Sequence, residues 1–409
     1  MQRSLFSGVS GMRNHQTKMD VIGNNISNVN TTAFKGGRAR FEDILSQTIR
    51  GASGHQEGRG GINPAQVGLG MNLAAIDNNH TQGSLQSTGR ETDLAIEGRG
   101  FFLVNDGQQN FYTRDGAFSL SPDGYLVNSA SGNYLQGFQM ENGEISDELG
   151  NLRIPVGGDR VAGATENVNL QGNLNAIVEN DTEFPINVNF YDSLGRGHEA
   201  TINFEKTGSN TWTWEFSSDS DYIDEITNDT GTIEFLSTGS IDPDSIGDDP
   251  ISVSFNDDDA LEMEITLDFS SITQYEGPTD VAATYQDGYP SGVLDSFTIG
   301  SDGTINGVYS NGMVQTLGQV ALAGFTNPEG LSKAAGNLYQ VSANSGQPQV
   351  GVPGDQGLGD IQASTLEMSN VDLVAEFTEM ITTSRAFQAN SRIISTSDEM
   401  LTEVVNLKR

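Results

Sequence analysis

The chain has 409 residues, room for two or three domains of ordinary size, and a formal net charge of −35. That excess of acid argues against nucleic acid as a partner and disfavours an anionic membrane surface. There is no cysteine, which excludes disulfides, zinc ribbons and cysteine nucleophiles, and no run of 18 apolar residues long enough to predict a membrane span.

The opening residues, MQRSLFSGVSGMRNHQ, lack the apolar segment and small-residue cleavage site of a secretory signal. They read as a helix. Leu5, Val9, Met12, Gln16, Met19 and Ile26 recur at spacings of four, three and seven, with Ile22 and Val29 beside them. The stretch NNISNVNTTAFKGG, residues 24–37, closes this helix, because Asn and Thr side chains bond the local backbone at helix ends and turns. Its two sequons, at Asn25 and Asn30, are read as incidental. Residues 36–70 are Gly-rich and expected to be largely irregular before assembly.

From residue 71 the pattern turns to short strands. LAIEGRGFFLVNDG and FYTRDGAFSLSPDGYLVN place Asp-Gly turns between apolar runs, as hairpins do. FSLSPDGYL at 118–126 is echoed by FTIGSDGTI at 297–305, with a constant offset of 179. The two segments bracket an insert expected at 147–285. Its strands alternate: Ile186, Val188 and Phe190 share one face, as do Ala200, Ile202 and Phe204, and Trp212, Trp214 and Phe216. The Trp pair is read as core rather than as a ligand platform.

Charge is unevenly placed. Residues 1–60 carry eight Lys/Arg and four Asp/Glu, whereas 155–285 carry three Lys/Arg and 27 Asp/Glu. A second helix closes the chain. Leu373, Phe377, Met380, Ser384, Phe387, Ser391, Ile394, Asp398, Leu401 and Val405 alternate spacings of four and three. Ser369 and Asn370 are candidates to cap it. Neither terminal helix would be stable alone, so each stripe demands a partner. The fold class that follows is mixed and mainly β, with terminal α-helices forming a coiled-coil layer and two nested β-rich domains between them. The expected divisions are 1–35, 36–70, 71–146, 147–285, 286–363 and 364–409.

Nothing points to catalysis or a cofactor. His15, His55, His80 and His198 have no metal-ligand spacing, and no G-x-S-x-G, H-E-x-x-H or Walker A pattern is present. The runs DPDSIGDDP and NDDDA offer carboxylates of the kind Ca²⁺ takes, but neither fits the EF-hand loop, and solvated acidic loops are the reading preferred. Two function classes remain: a polymer subunit held by its terminal helices, and a secreted carbohydrate-binding β protein using the acidic insert.

Long segments then carry a resemblance. MDVIGNNISNVNTTAFKGGRARFEDI near the start and LEMSNVDLVAEFTEMITTSRAFQANSRIISTSDEMLTEVVNLKR at the end resemble the terminal signatures of the flagellar axial rod–hook family. AIEGRGFFLV, FYDSLGRGHEATINF and GFTNPEGLSKAAGNLYQVSANSGQPQVG are similar to hook-type segments of that family, so the likeness spans nearly the whole chain. It implies a flexible hollow helical homopolymer that couples motor rod to filament in the bacterial flagellum. The implied location is extracellular, reached through the flagellar type III export gate without a cleaved signal peptide. Implied partners are the distal rod protein, the hook cap and the hook–filament junction proteins, with no nucleic acid and no membrane insertion. A distal rod subunit is the alternative within the family. The polymer-core contacts it implies fall on Leu5, Val9, Met12, Met19, Ile22, Ile26, Leu373, Phe377, Met380, Phe387, Ile394, Leu401 and Val405. Phe41 to Leu45 resembles the family's short export-gate element, with a packed linker segment as the other reading. Two departures stand out: Ala33 occupies a position where the family often has Gly, and the absence of cysteine rules out the Cys-derived lysine cross-link of spirochaete hooks.

Overall fold

The computed structural model describes residues 2–52, 54, 60–61, 63–141, 144–156, 160–245, 247, 249–256 and 261–406. His55, Ile246, Asp248 and residues 257–260 of the second acidic run lie outside the described residues. The chain forms two compact units. One comprises residues 1–154, 298–306 and 316–409, the other 155–297 and 307–315.

Two long helices belong to the first unit, α1 (Gln2–Ser27) and α2 (Leu373–Asn406). Asp372 caps α2: its Oδ1 accepts from the N–H groups of Val374 at 2.8 Å and Ala375 at 3.3 Å. The sequence candidates are otherwise engaged. Asn370 holds Gly36 and the chain at Asn79–Thr81, and Ser369 accepts from Val371 N.

The segment after α1 is more ordered than its glycines imply. Strand β1 (Gly37–Asp43) and β2 (Gln47–Arg50) pair antiparallel with β4 (Met71–Asn78) and β3 (Ala65–Val67), respectively. Phe41, Ile49, Val67, Leu73 and Ile76 supply side chains of strand type there, and the ladder satisfies backbone groups that glycines leave open.

Strands β5 (Leu85–Ser87), β6 (Leu94–Glu97), β7 (Phe101–Asn105) and β8 (Asn110–Thr113) follow. The returning chain pairs Thr365–Glu367 with β5 and Asp360–Ala363 with β6, while β7 pairs with β8 and with Leu322–Gly324. Phe101, Leu103, Tyr112, Ala323, Leu331 and Tyr339 form a buried cluster. Both members of the repeated motif close alike. Ser121 N donates to Tyr125 O and Gly124 N to Ser121 O, and Gly300 N donates to Thr304 O and Gly303 N to Gly300 O. Gly124 and Gly303 take φ of 82° and 78°, a conformation that favours glycine. The echo is therefore one turn used twice.

The second unit is a sandwich. Strands Glu183–Tyr191, Gly197–Lys206, Thr211–Ser217 and Thr230–Glu234 form one antiparallel sheet, in register Ile186↔Ile202↔Phe216 and Phe184↔Phe204↔Trp214. Its inner face meets a five-stranded sheet through Phe190, Ile202, Phe204, Trp212, Val253, Ile265 and Phe269. The alternation read from sequence thus gives the buried face. The insert expected at 147–285 compares with structural limits at Pro155 and Phe297. Strand Glu144–Asn151 stays with the first unit because it pairs with Tyr134–Glu141, and Tyr289–Ile299 reaches the second by pairing with Arg160–Gly163.

Candidate assembly surface

Helices α1 and α2 run antiparallel along each other. Ser4 Oγ lies 3.4 Å from Ser397 Oγ, Lys18 Nζ 2.5 Å from Glu379 Oε1, and Asn25 Nδ2 3.0 Å from Glu376 Oε1. Two glycines let the backbones approach. A Cβ at Gly8 would sit 3.1 Å from Ile394 Cγ1, and one at Gly11 would sit 2.6 Å from Asn390 Nδ2. The covered positions of α2 are Glu376, Met380, Thr383, Phe387, Asn390, Ile394, Ser397 and Leu401, with Ser384 and Ala386 half-buried beside them. This seam shares Met380, Phe387, Ile394 and Leu401 with the heptad stripe. It replaces the other half of that stripe with small or polar residues, Thr383 and Ser397 being buried.

On α1, Ile22 is buried and Leu5, Met12, Met19 and Ile26 are half-buried. Val9, Leu373, Phe377 and Val405 remain exposed, as do Phe6, Val374, Ile381, Ile393, Met400 and Val404. At about 100° per residue, Val374, Phe377 and Ile381 lie roughly 100–160° to one side of the seam. Ile393, Met400 and Val404 lie roughly 80–120° to the other. Helix α2 therefore presents apolar surface on one flank in its first half and on the opposite flank in its second.

The junction between helices and strands is held by specific polar bonds. Asn25 is buried; its Oδ1 accepts from Gly37 N and its Nδ2 donates to Gly37 O and Glu376. That amide is fully committed, so the sequon at Asn25 is structural. Burial raises the Glu376 carboxyl above its ordinary range, opposed by the Asn25 bond. Ala33, fully buried at φ 56°, donates its N–H to Glu367 O. The next two residues are also buried. Lys35 Nζ bonds Glu367 Oε1 at 2.6 Å and Thr81 O at 2.9 Å. Arg114 Nη1 reaches Glu367 Oε2 at 3.3 Å, and Gly83 N donates to Oε1 at 2.8 Å. Burial lowers the pKa of both Lys35 and Arg114, with the Glu367 carboxylate opposing it. Sequence reasoning missed this network because charged residues ordinarily face water. The local pattern points the wrong way: in T-L-E, residues 365–367, Thr365 and Glu367 are buried and Leu366 is half-buried, the reverse of an apolar-in alternation.

Phe41 is half-buried on β1, edge-on to His15 with centroids 6.2 Å apart, while Leu45 is 82% exposed.

The N-terminal segment matches the flagella basal body rod protein model over residues 5–35. Residues 95–176 match the flagellar hook protein FlgE/F/G D1 domain, and 162–289 the flagellar basal body protein FlaE D2 domain. Residues 362–407 match the flagellar basal body rod FlgEFG protein C-terminal model. The flagellar hook protein FlgE of Borreliella burgdorferi is 40% identical, with all of both chains covered. The chain belongs to the flagellar hook and rod protein family. Within that family it is also 33% identical to the flagellar basal-body rod protein FlgG of Bacillus subtilis, again over all of both chains. The Helicobacter pylori flagellar hook protein FlgE2 shares the fold at a TM-score of 0.50 and 17% identity, covering 69% of this chain and 100% of that one. The first and last family segments fall on α1 and α2, the two elements whose apolar flanks are left open.

Proposed function

We propose that this chain is the structural subunit of the bacterial flagellar hook, self-assembling into a flexible hollow helical tube that couples rod to filament and transmits torque. The observation that carries the reading is the exposed apolar surface on the paired terminal helices, with Phe377 50% exposed and Val374 76% exposed. Exposed apolar side chains grouped in this way call for a partner. The two opposite flanks on α2 fit two different neighbouring copies, the heterologous arrangement that builds a helical polymer rather than a closed dimer. The full-length likeness to a protein named as a hook subunit agrees with it. In this reading the subunit is exported to the cell exterior without a cleaved signal peptide. It meets the distal rod protein, the hook cap and the hook–filament junction proteins, and the Phe41–Leu45 segment engages the export gate while the chain is unfolded.

Negative-stain electron microscopy under polymerising salt tests the reading. The full chain is expected to form curved tubes, and a chain lacking 1–35 and 364–409 none. Phe377→Asp is expected to abolish tubes without unfolding the monomer. Equal polymerisation by the truncated chain would place the assembly contacts in the β units and defeat the assignment. The rod-protein relative supports a second reading, a distal rod subunit, which straight rigid polymers would favour. The Trp pair lends no weight to a carbohydrate-binding role: Trp212 is fully buried and Trp214 packs against the same core.

A further inference from the structure

The bonding at Glu367 is two cations to one acid. Lys35 and Arg114, two buried cations, converge on one carboxylate. Asp93 and Asp115, the other buried carboxylates of this unit among the described residues, bond elsewhere. Asp93 accepts from Thr88, and Asp115 accepts from Thr32 and Asn128. Arg114 also lines a cavity of about 370 Å³, together with His80, Arg99, Phe101, Phe325 and Leu358. One acid, Glu329, also lines it. Arg114 Nε and both ring nitrogens of His80 are buried there without hydrogen-bond partners. Burial and the charges of Lys35, Arg114 and Lys333 push His80 down to about 4, so near neutral pH its ring is uncharged and offers one N–H donor.

We propose that this cavity is a contact site between subunits, receiving the carboxylate of an aspartate or glutamate from a second copy of this chain. The inference rests on the self-assembly reading above. Its occupant follows from charge. The chain carries 55 Asp and Glu against 20 Lys and Arg, and 27 of the acids lie in residues 155–285, so the second unit of a neighbouring copy is the part that presents carboxylates. Copies of net charge −35 repel one another, and a recess lined by two arginines, Arg99 and Arg114, against one acid, Glu329, turns part of that repulsion into a specific attraction. A charge pair in a recess is screened less than one on open surface. Arg99 at the lip is exposed and stands outside the Glu367 bonds, so it can be changed without disturbing the buried network.

The test compares the critical concentration for tube formation of the full chain, Arg99→Glu, and Arg160→Glu, which makes the same charge change at an exposed site elsewhere. Arg99→Glu is expected to raise it about tenfold, equivalent to about 1.4 kcal/mol, with Arg160→Glu close to the unaltered chain. Equal effects of the two variants would overturn the contact while leaving assembly intact. Failure of the unaltered chain to assemble would sink the assembly reading and this contact with it. A benzophenone side chain at Gln356, on the cavity wall, supplies a second readout in tubes of mixed isotopic labelling. Cross-links between differently labelled chains at an Asp- or Glu-bearing peptide are expected, and cross-links confined to one chain would overturn the proposal.

Discussion

Lys35 Nζ and Glu367 Oε1 lie 2.6 Å apart, both side chains fully buried, although the residues stand 332 positions apart in the chain. The carboxylate also holds Arg114 and Gly83 N, so it joins four chain segments. Removing it leaves two cations in a medium that cannot solvate them. Glu367→Gln is expected to destabilise the chain by about 3–5 kcal/mol. The double variant Lys35→Met/Glu367→Leu is expected to cost less, because it leaves one buried cation, Arg114, without its carboxylate instead of two. Denaturant titration of both variants checks this, and a double variant no milder than the single would contradict the account.

His80 adds a pH dependence. Burial comes first among the causes of its shift, then the charges of Lys35, Arg114 and Lys333, and together they lower it from 6.5 to about 4. The folded state thus binds this proton less readily than the unfolded state. The contribution is fully present above pH 6.5 and is lost as pH falls toward about 4, amounting to about 3 kcal/mol at most. His80→Gln is expected to flatten the stability profile within that window, measured as the difference between variant and unaltered chain. Parallel profiles would show that His80 is not the group responsible.

The helix pair predicts opposite signs for two glycine substitutions. Gly23 has nothing within 4 Å of a built Cβ, so Gly23→Ala is expected to stabilise α1 by up to about 1 kcal/mol. At Gly8 the same atom would lie 3.1 Å from Ile394 Cγ1 and 3.4 Å from Asn390 O. Gly8→Leu is expected to force the helices apart, destabilising by about 1–3 kcal/mol. Thermal unfolding followed by circular dichroism at 222 nm reads both changes.

The sequence shows the β insert well because period-two alternation is directly tied to which face is buried. Ile202, Phe204, Phe216 and their partners stand where the pattern puts them. The terminal helices are equally legible, but the seam between them is not. Helices α1 and α2 meet through Gly8, Gly11, Asn390 and Ser397, small or polar residues that a search for apolar stripes passes over. The heptad stripe therefore mixes seam residues with exposed ones such as Phe377. The buried Lys35 network depends on a tertiary partner hundreds of residues away, which no local pattern records, whereas the cap at Asp372 is local, an Asp directly before the helix that stands two residues beyond the nearer candidate, Asn370. Ala33 is intermediate: its departure from glycine is visible in the sequence, but its left-handed φ of 56° becomes apparent only in the fold.

The polar bonds at Asn25 and Asn370 have a mechanical consequence. Both residues stand at the root of the helix pair. Asn25 binds β1 and α2 together, and Asn370 ties Gly36 to Asn79 and Thr81. With the Glu367 bonds, they cross the root at several points side by side. A twisting load on the helices is shared among these bonds at once, instead of opening them one after another. The root is thus a splined joint, and in the proposed tube the compliance is expected to lie outside it.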